Sequence, residues 1–307
     1  MRLTSLVLLV LILLATSLPV EDAPAAAQAN PVVTSGFVTS WDAAKIHYIE
    51  AGPSNMPTGN ADARNFHTPS ILFVPGFTMP AWIWENQVSH FSPDHRVVAM
   101  DPRSQGDSSK TGEGDYPAAR ARDIKAVVDQ LHLAPVVLVG WSMAVTEIAS
   151  YVDQFGTSNV AGFVLVDGLA GSESTAESVN DNVEFLKGLQ SNRPQLTADF
   201  VRSIFRKPHA EEYLQKLIKS SMATPTDSAV AIGLAGWTTD NRPALAKFDK
   251  PTLIVGATKR LLPQLNDMQK SISGAKLKFF DDAGHALFVD DTGKFNVLLD
   301  EFFRSLN

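Results

Sequence analysis

The chain has 307 residues, 45% hydrophobic and 19% charged, which is apolar material enough for one large core carrying an insertion. Its 26 Lys and Arg against 33 Asp and Glu leave a formal charge of -7, which repels nucleic acid and steers no polyphosphate. The count of zero cysteines excludes disulfides, thiolate metal sites, a cysteine nucleophile and a thioether lipid anchor.

At the N-terminus, Arg2 precedes an unbroken apolar run from Leu6 to Ala15, then small and polar residues through Ala29. This pattern predicts a signal peptide over residues 1–29, with cleavage after Ala29 or near Ser17, and a secreted or periplasmic mature protein. The run is short of the roughly 20 apolar residues that span a bilayer, so no stable membrane insertion is expected after cleavage.

Between Gly36 and Glu50, FVTSW and KIHYIE read as two antiparallel strands joined by an Asp-Ala-Ala turn. The polar stretch from Pro53 to Pro69 reads as an exposed loop. Short runs that are apolar throughout then follow: ILFV from Ile71, VVAM from Val97, VVLV from Val136, FVLV from Phe163 and TLIV from Thr252. Such runs, alternating with helical stretches at Ala118 to Leu131 and Phe295 to Leu306, predict parallel strands buried on both faces: an α/β sheet wrapped by helices. From Ala170 to Leu245 helical patches such as VEFLKGL and AEEYLQKLI occur without a buried strand. The chain therefore divides into a core of 30–169 and 246–307, with a helical cap over 170–245.

The sharpest chemical feature is VVLVGWSMA, in which a buried strand ending at Val139 runs into Gly140-Trp141-Ser142-Met143-Ala144 and then the helical VTEIASYV. A serine on a tight strand-to-helix turn is held out over the sheet as a nucleophile. The helix N-terminus brings positive dipole to Ser142, and the Met143 N–H is placed to bind a developing oxyanion. His285, in Asp282-Ala283-Gly284-His285-Ala286-Leu287 after the alternating strand KLKFF, is the matching general base. The other histidines, His47, His67, His90, His95, His132 and His209, lack such a context and read as surface or packing residues.

These segments give the chain its resemblance to the α/β-hydrolase superfamily, particularly its small esterase and cofactor-free haloperoxidase-like branch. It covers nearly all residues after about Phe37, through FVPGFTMPAWIW, AMDPRSQGDS, GWSMA, LVDG and DAGHALF. The resemblance implies an α/β-hydrolase fold with a mostly parallel sheet, and it makes the Phe77 N–H the second oxyanion donor. It also exposes a departure. The family usually carries the triad acid in a Gly-Asp-x-Asp segment after the strand TLIV, but here the residues are Gly256-Ala257-Thr258-Lys259-Arg260. Lysine cannot orient and charge an imidazole. Asp167, ending FVLV-Asp-Gly one strand after the nucleophile, is the best replacement, since it leaves the same carboxyl edge of the sheet; Asp267 and Asp282 are reserves.

Ala144 stands where most relatives have glycine, and Asp101 to Ser108 resembles a structural turn of the family. Trp82 and Trp141 are candidate substrate walls, with Trp84 and Trp237 also near the elbow or in the cap. No metal or organic cofactor is implied, since no histidine and carboxylate cluster has ligand spacing and no phosphate-binding glycine fingerprint follows the first strand. The expected function is hydrolysis of a small carboxylic ester through an acyl-enzyme on Ser142, with a small-molecule acyl substrate. Cofactor-free perhydrolase or haloperoxidase-like chemistry, and a non-catalytic small-molecule-binding protein on the same fold, are the alternatives.

Overall fold

The computed structural model describes residues 32–53, 68–171 and 175–306. The segment read as a signal peptide (1–29), most of the Pro53–Pro69 loop and His67 lie outside them. The N-terminal hairpin comprises β1 (Thr34–Thr39) and β2 (Lys45–Ala51). The first strand thus starts earlier than the FVTSW reading, and Trp41 falls in the turn. There the Ser40 N–H donates to the Ala44 carbonyl at 2.8 Å, and Ala43 takes a φ of 69°.

Next come β3 (Ser70–Val74), α1 (Glu85–Phe91), β4 (Val97–Met100), α2 (Pro117–Gln130), β5 (Val136–Trp141), α3 (Ala144–Phe155) and β6 (Val160–Val166). After β6 the chain builds α4 (Ala176–Ser191), α5 (Arg193–Ser203), α6 (Glu211–Met222) and α7 (Thr226–Thr238). It then returns to the sheet with β7 (Thr252–Gly256), α8 (Leu262–Ser271) and β8 (Lys276–Phe279), and closes with α9 (Leu287–Asp290) and α10 (Thr292–Arg304). The described residues belong to one compact unit. None of their helices is long and apolar enough to cross a membrane.

The strands form one eight-stranded sheet in the order β1-β2-β4-β3-β5-β6-β7-β8. β2 pairs antiparallel with β1 and β4; every other pairing is parallel. The continuous apolar runs are explained by burial on both faces. Leu72, Val98, Leu138, Leu165 and Ile254 point into a layer shared with Ile124, Val127 and Val128 of α2, Ile148 of α3 and Leu265 of α8. Their neighbours Phe73, Val97, Val139, Val164 and Val255 point the other way, towards Val88 of α1 and Phe295, Leu299 and Phe303 of α10. Because side chains alternate along a strand, each face needs its own apolar set.

Helix boundaries follow local chemistry. α2 opens on Pro117 in its first turn, where the missing N–H and fixed φ carry no penalty. A reciprocal Thr175–Ser178 capping box starts α4, satisfying two backbone N–H groups that would otherwise lack acceptors. The parallel strands all point their carboxyl ends the same way, so the loops after β3, β5, β6 and β8 meet at one edge, where ligands bind in open α/β sheets.

Candidate active site

β5 runs through Gly140 and Trp141 before turning, two residues beyond the end expected at Val139. Ser142 has a φ of 59°, a left-handed conformation that costs on the order of 1–3 kcal/mol and persists only where the surroundings over-determine it. They do so here: the Ser142 N–H donates to the Val166 carbonyl of β6 at 2.8 Å, and the Ser142 carbonyl accepts from Val145 at 3.1 Å. Two glycines allow this crowding. A Cβ on Gly168 would lie 2.1 Å from the Ser142 carbonyl oxygen, and one on Gly76 would lie 2.9 Å from the Ser142 Cβ. Ala144 is fully buried behind the turn, its methyl absorbed by the α2–α3 layer.

His285 joins the other two groups. Its Nε2 lies 2.9 Å from Ser142 Oγ, and its Nδ1 lies 2.7 Å from Asp167 Oδ2. The histidine is fixed from several sides. The Trp141 indole N–H donates to the His285 carbonyl at 2.9 Å, and Ala286 N–H donates to the Ile204 carbonyl at the end of α5, also at 2.9 Å. Asp290, its side chain fully buried, accepts from the Gly284 N–H at 2.7 Å, from the Arg206 N–H at 2.7 Å and from His209 Nε2 at 2.8 Å. One carboxylate therefore ties the histidine loop to the α5–α6 connection.

Asp167 is fully buried at a φ of 43°. Its Oδ1 accepts from the Ala257 and Thr258 N–H groups at 2.8 and 3.0 Å, and its Oδ2 accepts from the Thr258 hydroxyl as well as from His285. Burial opposes charge on this carboxyl, but the His285 hydrogen bond and charge, with the Ala257 and Thr258 donors, hold it below the ordinary carboxylate range. The loop after β7, where the resemblance would place an acid, thus supplies donors to an acid from β6. Lys259 is exposed, and its ammonium makes no hydrogen bond or ion pair among the described residues. The reserve acids are elsewhere: Asp267 is an exposed partner of Lys270, and Asp282 is exposed beside the histidine loop.

The Phe77 and Met143 N–H groups flank Ser142 in sequence and through the Gly76 contact, and neither donates to an acceptor among the described residues. Above them lies an apolar roof. The Phe77 ring meets Phe185 of α4 and Phe200 of α5 edge-on at 5.8 and 5.7 Å, and Phe185 meets Trp237 of α7 at 5.5 Å. Met143 packs beneath Gly236 of α7. Such walls weaken the competition of water with any hydrogen bond made inside.

Two expected substrate walls take other positions. Trp141 is only 1% exposed and lies under His285, its ring 5.1 Å from the imidazole, so it braces His285 from below. Trp82 packs on α6, with its Nε1 donating to Ser220 Oγ at 3.2 Å and Lys216 Nζ 3.9 Å over its ring. Trp84 is a core residue stacked on Phe288 at 3.7 Å.

Of the remaining histidines, His47 bonds Asp101, His90 bonds Asp300 and His95 bonds the Pro69 carbonyl. His47, Asp101 and Asp107 bring ligand atoms within 4.8 Å of one another. Both Asp101 oxygens already accept, however, from Ala81 N–H, Asp107 N–H and His47, so this cluster braces the turn. Reading the sequence did not single out Thr258, Asp290 or Gln105. Only Gln105 had a signal, its place inside the DPRSQGDS segment.

The comparisons agree with this architecture. The sequence profile described as "Alpha/beta hydrolase family" matches residues 71–296. A non-heme haloperoxidase of Rhodococcus erythropolis is 28% identical, covering 88% of this chain and 99% of its own. A bifunctional esterase/perhydrolase of Acinetobacter calcoaceticus is 26% identical, covering 88% and 100%. An esterase from Exiguobacterium antarcticum superposes with a TM-score of 0.77 at 22% identity, covering 87% of this chain and 98% of that one; at that identity the likeness concerns the fold.

Proposed function

Since the chain belongs to the alpha/beta hydrolase family, we propose that it is a serine hydrolase cleaving a small carboxylic ester, with Ser142, His285 and Asp167 as its triad. The observation that carries this reading is the single imidazole placed 2.9 Å from Ser142 Oγ and 2.7 Å from Asp167 Oδ2.

Ser142 Oγ attacks the ester carbonyl while His285 Nε2 takes its proton. Asp167 keeps the other imidazole proton on Nδ1 and stabilises the imidazolium. The carbonyl oxygen becomes an oxyanion bound by the Phe77 and Met143 N–H groups. Each such donor is worth about 2.7–4 kcal/mol of barrier. The intermediate collapses, the alcohol leaves with the proton from His285, and water repeats the sequence on the acyl-enzyme to release the acid. The roof of Phe77, Phe185, Phe200 and Trp237 favours an apolar substituent on the substrate.

A second reading uses the same acyl-enzyme: hydrogen peroxide replaces water as the second nucleophile and leaves as the peracid. It is favoured by the haloperoxidase and esterase/perhydrolase relatives and by the water-poor roof. The N-terminal apolar run supports a secreted or periplasmic location for this activity. The alternative of a non-catalytic binding protein rests on Lys259 at the expected acid and Ala144 in the elbow; the His285–Asp167 contact weighs against it. Hydrolysis of p-nitrophenyl esters by the purified protein and its Ser142→Ala variant tests the proposal: turnover lost in the variant supports it, and equal rates contradict it.

A further inference from the structure

The turn that presents the Phe77 N–H is held in a conformation its sequence disfavours. Gly76 to Met79 is closed by the Met79 N–H donating to the Gly76 carbonyl at 3.2 Å. Its third residue, Thr78, has a φ of 56°. Turns with a positive φ at this position usually carry glycine, and a β-branched residue there is an outlier. Thr78 is 1% exposed, so solvent does not relieve it.

What holds the turn is Gln105, which is fully buried. Its Nε2 donates to the Gly76 and Met79 carbonyls at 3.0 and 2.9 Å. Its Oε1 accepts from the Thr78 N–H at 3.1 Å and from Arg120 Nη2 at 2.7 Å. Both donors and both lone pairs of the amide are therefore used. A flipped amide would set its NH2 against two other donors, so the network fixes its orientation. Arg120 is fixed in turn, its Nη1 lying 3.0 Å from Glu147 Oε1 of α3, with both side chains 2% exposed.

The chain of contacts from α3 to the turn fixes both peptide planes around Phe77: Gln105 Nε2 on the Gly76 carbonyl sets the plane that carries the Phe77 N–H, and Gln105 Oε1 on the Thr78 N–H sets the next one. Were Thr78 to relax to a negative φ, the Phe77–Thr78 peptide would rotate, the Thr78 N–H would leave Gln105, and the adjoining Gly76–Phe77 plane, whose N–H lies beside Ser142, would lose its fixed neighbour. We propose that Gln105, anchored by the Arg120–Glu147 pair, is a positioning residue that locks this strained turn and so aims the Phe77 N–H at the oxyanion. Its kinetic consequence rests on the serine-hydrolase reading; its structural consequence does not.

The test uses Gln105→Ala and Gln105→Met, each alone and combined with Thr78→Gly, beside the wild type. Two quantities are read: hydrogen exchange of the peptide over residues 76–83, and kcat and KM for p-nitrophenyl acetate. Either folded Gln105 variant should lose protection at the Thr78 and Met79 amides. Its kcat should fall about 10- to 100-fold, less than loss of a whole donor, with KM little changed. Adding Thr78→Gly should recover most of that kcat, because glycine takes the positive φ without strain. A mere packing defect would not be repaired by removing a further side chain. Unchanged exchange, an unchanged kcat, or a double variant as slow as the single one would overturn the proposal. A wild type without turnover, whose exchange still responds to the Gln105 variants, would contradict the hydrolase reading and leave the lock standing.

Discussion

His285 Nδ1 lies 2.7 Å from Asp167 Oδ2 across 118 residues of sequence, and the carboxylate it meets leaves β6. Two backbone N–H groups and a hydroxyl from the β7 loop complete the carboxylate's shell. In Asp167→Asn the amide oxygen would keep the Ala257 and Thr258 donors, which turns the NH2 towards His285. The imidazole then holds its proton on Nε2, facing Ser142, in the wrong tautomer to act as base. We expect kcat for ester hydrolysis to fall by roughly 10⁴-fold, the scale of the same change in a known triad. A loss below tenfold would mean that another acid serves the histidine.

Lys259 gives the complementary prediction. Its side chain is exposed and without a partner among the described residues, so Lys259→Ala should leave kcat within about twofold and stability within about 0.5 kcal/mol. A large effect on either, measured by ester kinetics and urea melts, would return the loop after β7 to the chemistry.

Close approach at Gly168 predicts a structural failure. A methyl there would sit 2.1 Å from the Ser142 carbonyl oxygen and 2.7 Å from its carbonyl carbon, both backbone atoms that cannot swing aside. Gly168→Ala should cost several kcal/mol or abolish soluble expression, as overpacking and backbone strain do in combination. A variant with wild-type melting and activity would show that the elbow is less tightly built than described.

Glu147 predicts a pH dependence. Burial pushes its carboxyl from 4.5 up to about 7, against the attraction of Arg120 and helped by repulsion from Asp123. The folded chain therefore binds this proton more tightly than the unfolded chain. The resulting stability is fully present below about pH 4.5 and is lost as pH rises through about 7. Glu147→Gln removes that dependence, so its Tm relative to wild type should rise between about pH 5 and about pH 8. Parallel Tm curves would contradict the shift.

Much of this was legible in the sequence, for physical reasons. The apolar runs at Ile71, Val97, Val136, Phe163 and Thr252 announced doubly covered strands because both faces must be apolar, and Ser142 announced itself through its place between strand and helix. The limits are as physical. Trp141 reads as a pocket wall from its position beside the nucleophile, but alternation along β5 turns its side chain under His285. The lysine after β7 looked disqualifying because one dimension does not reveal that Lys259 points to solvent while Ala257 and Thr258 serve Asp167. Gln105 acts through contacts with a loop 26 to 29 residues away, and Asp290 through Arg206 and His209 of the α5–α6 connection; neither pairing has a local pattern.

The most direct test is fluorophosphonate labelling of the purified protein, read by intact mass and peptide mapping, with Ser142→Ala and Asp167→Asn alongside. The account predicts one adduct on Ser142 in the wild type, none in Ser142→Ala and strongly slowed labelling in Asp167→Asn. A folded wild type that stays unlabelled at Ser142 would contradict it.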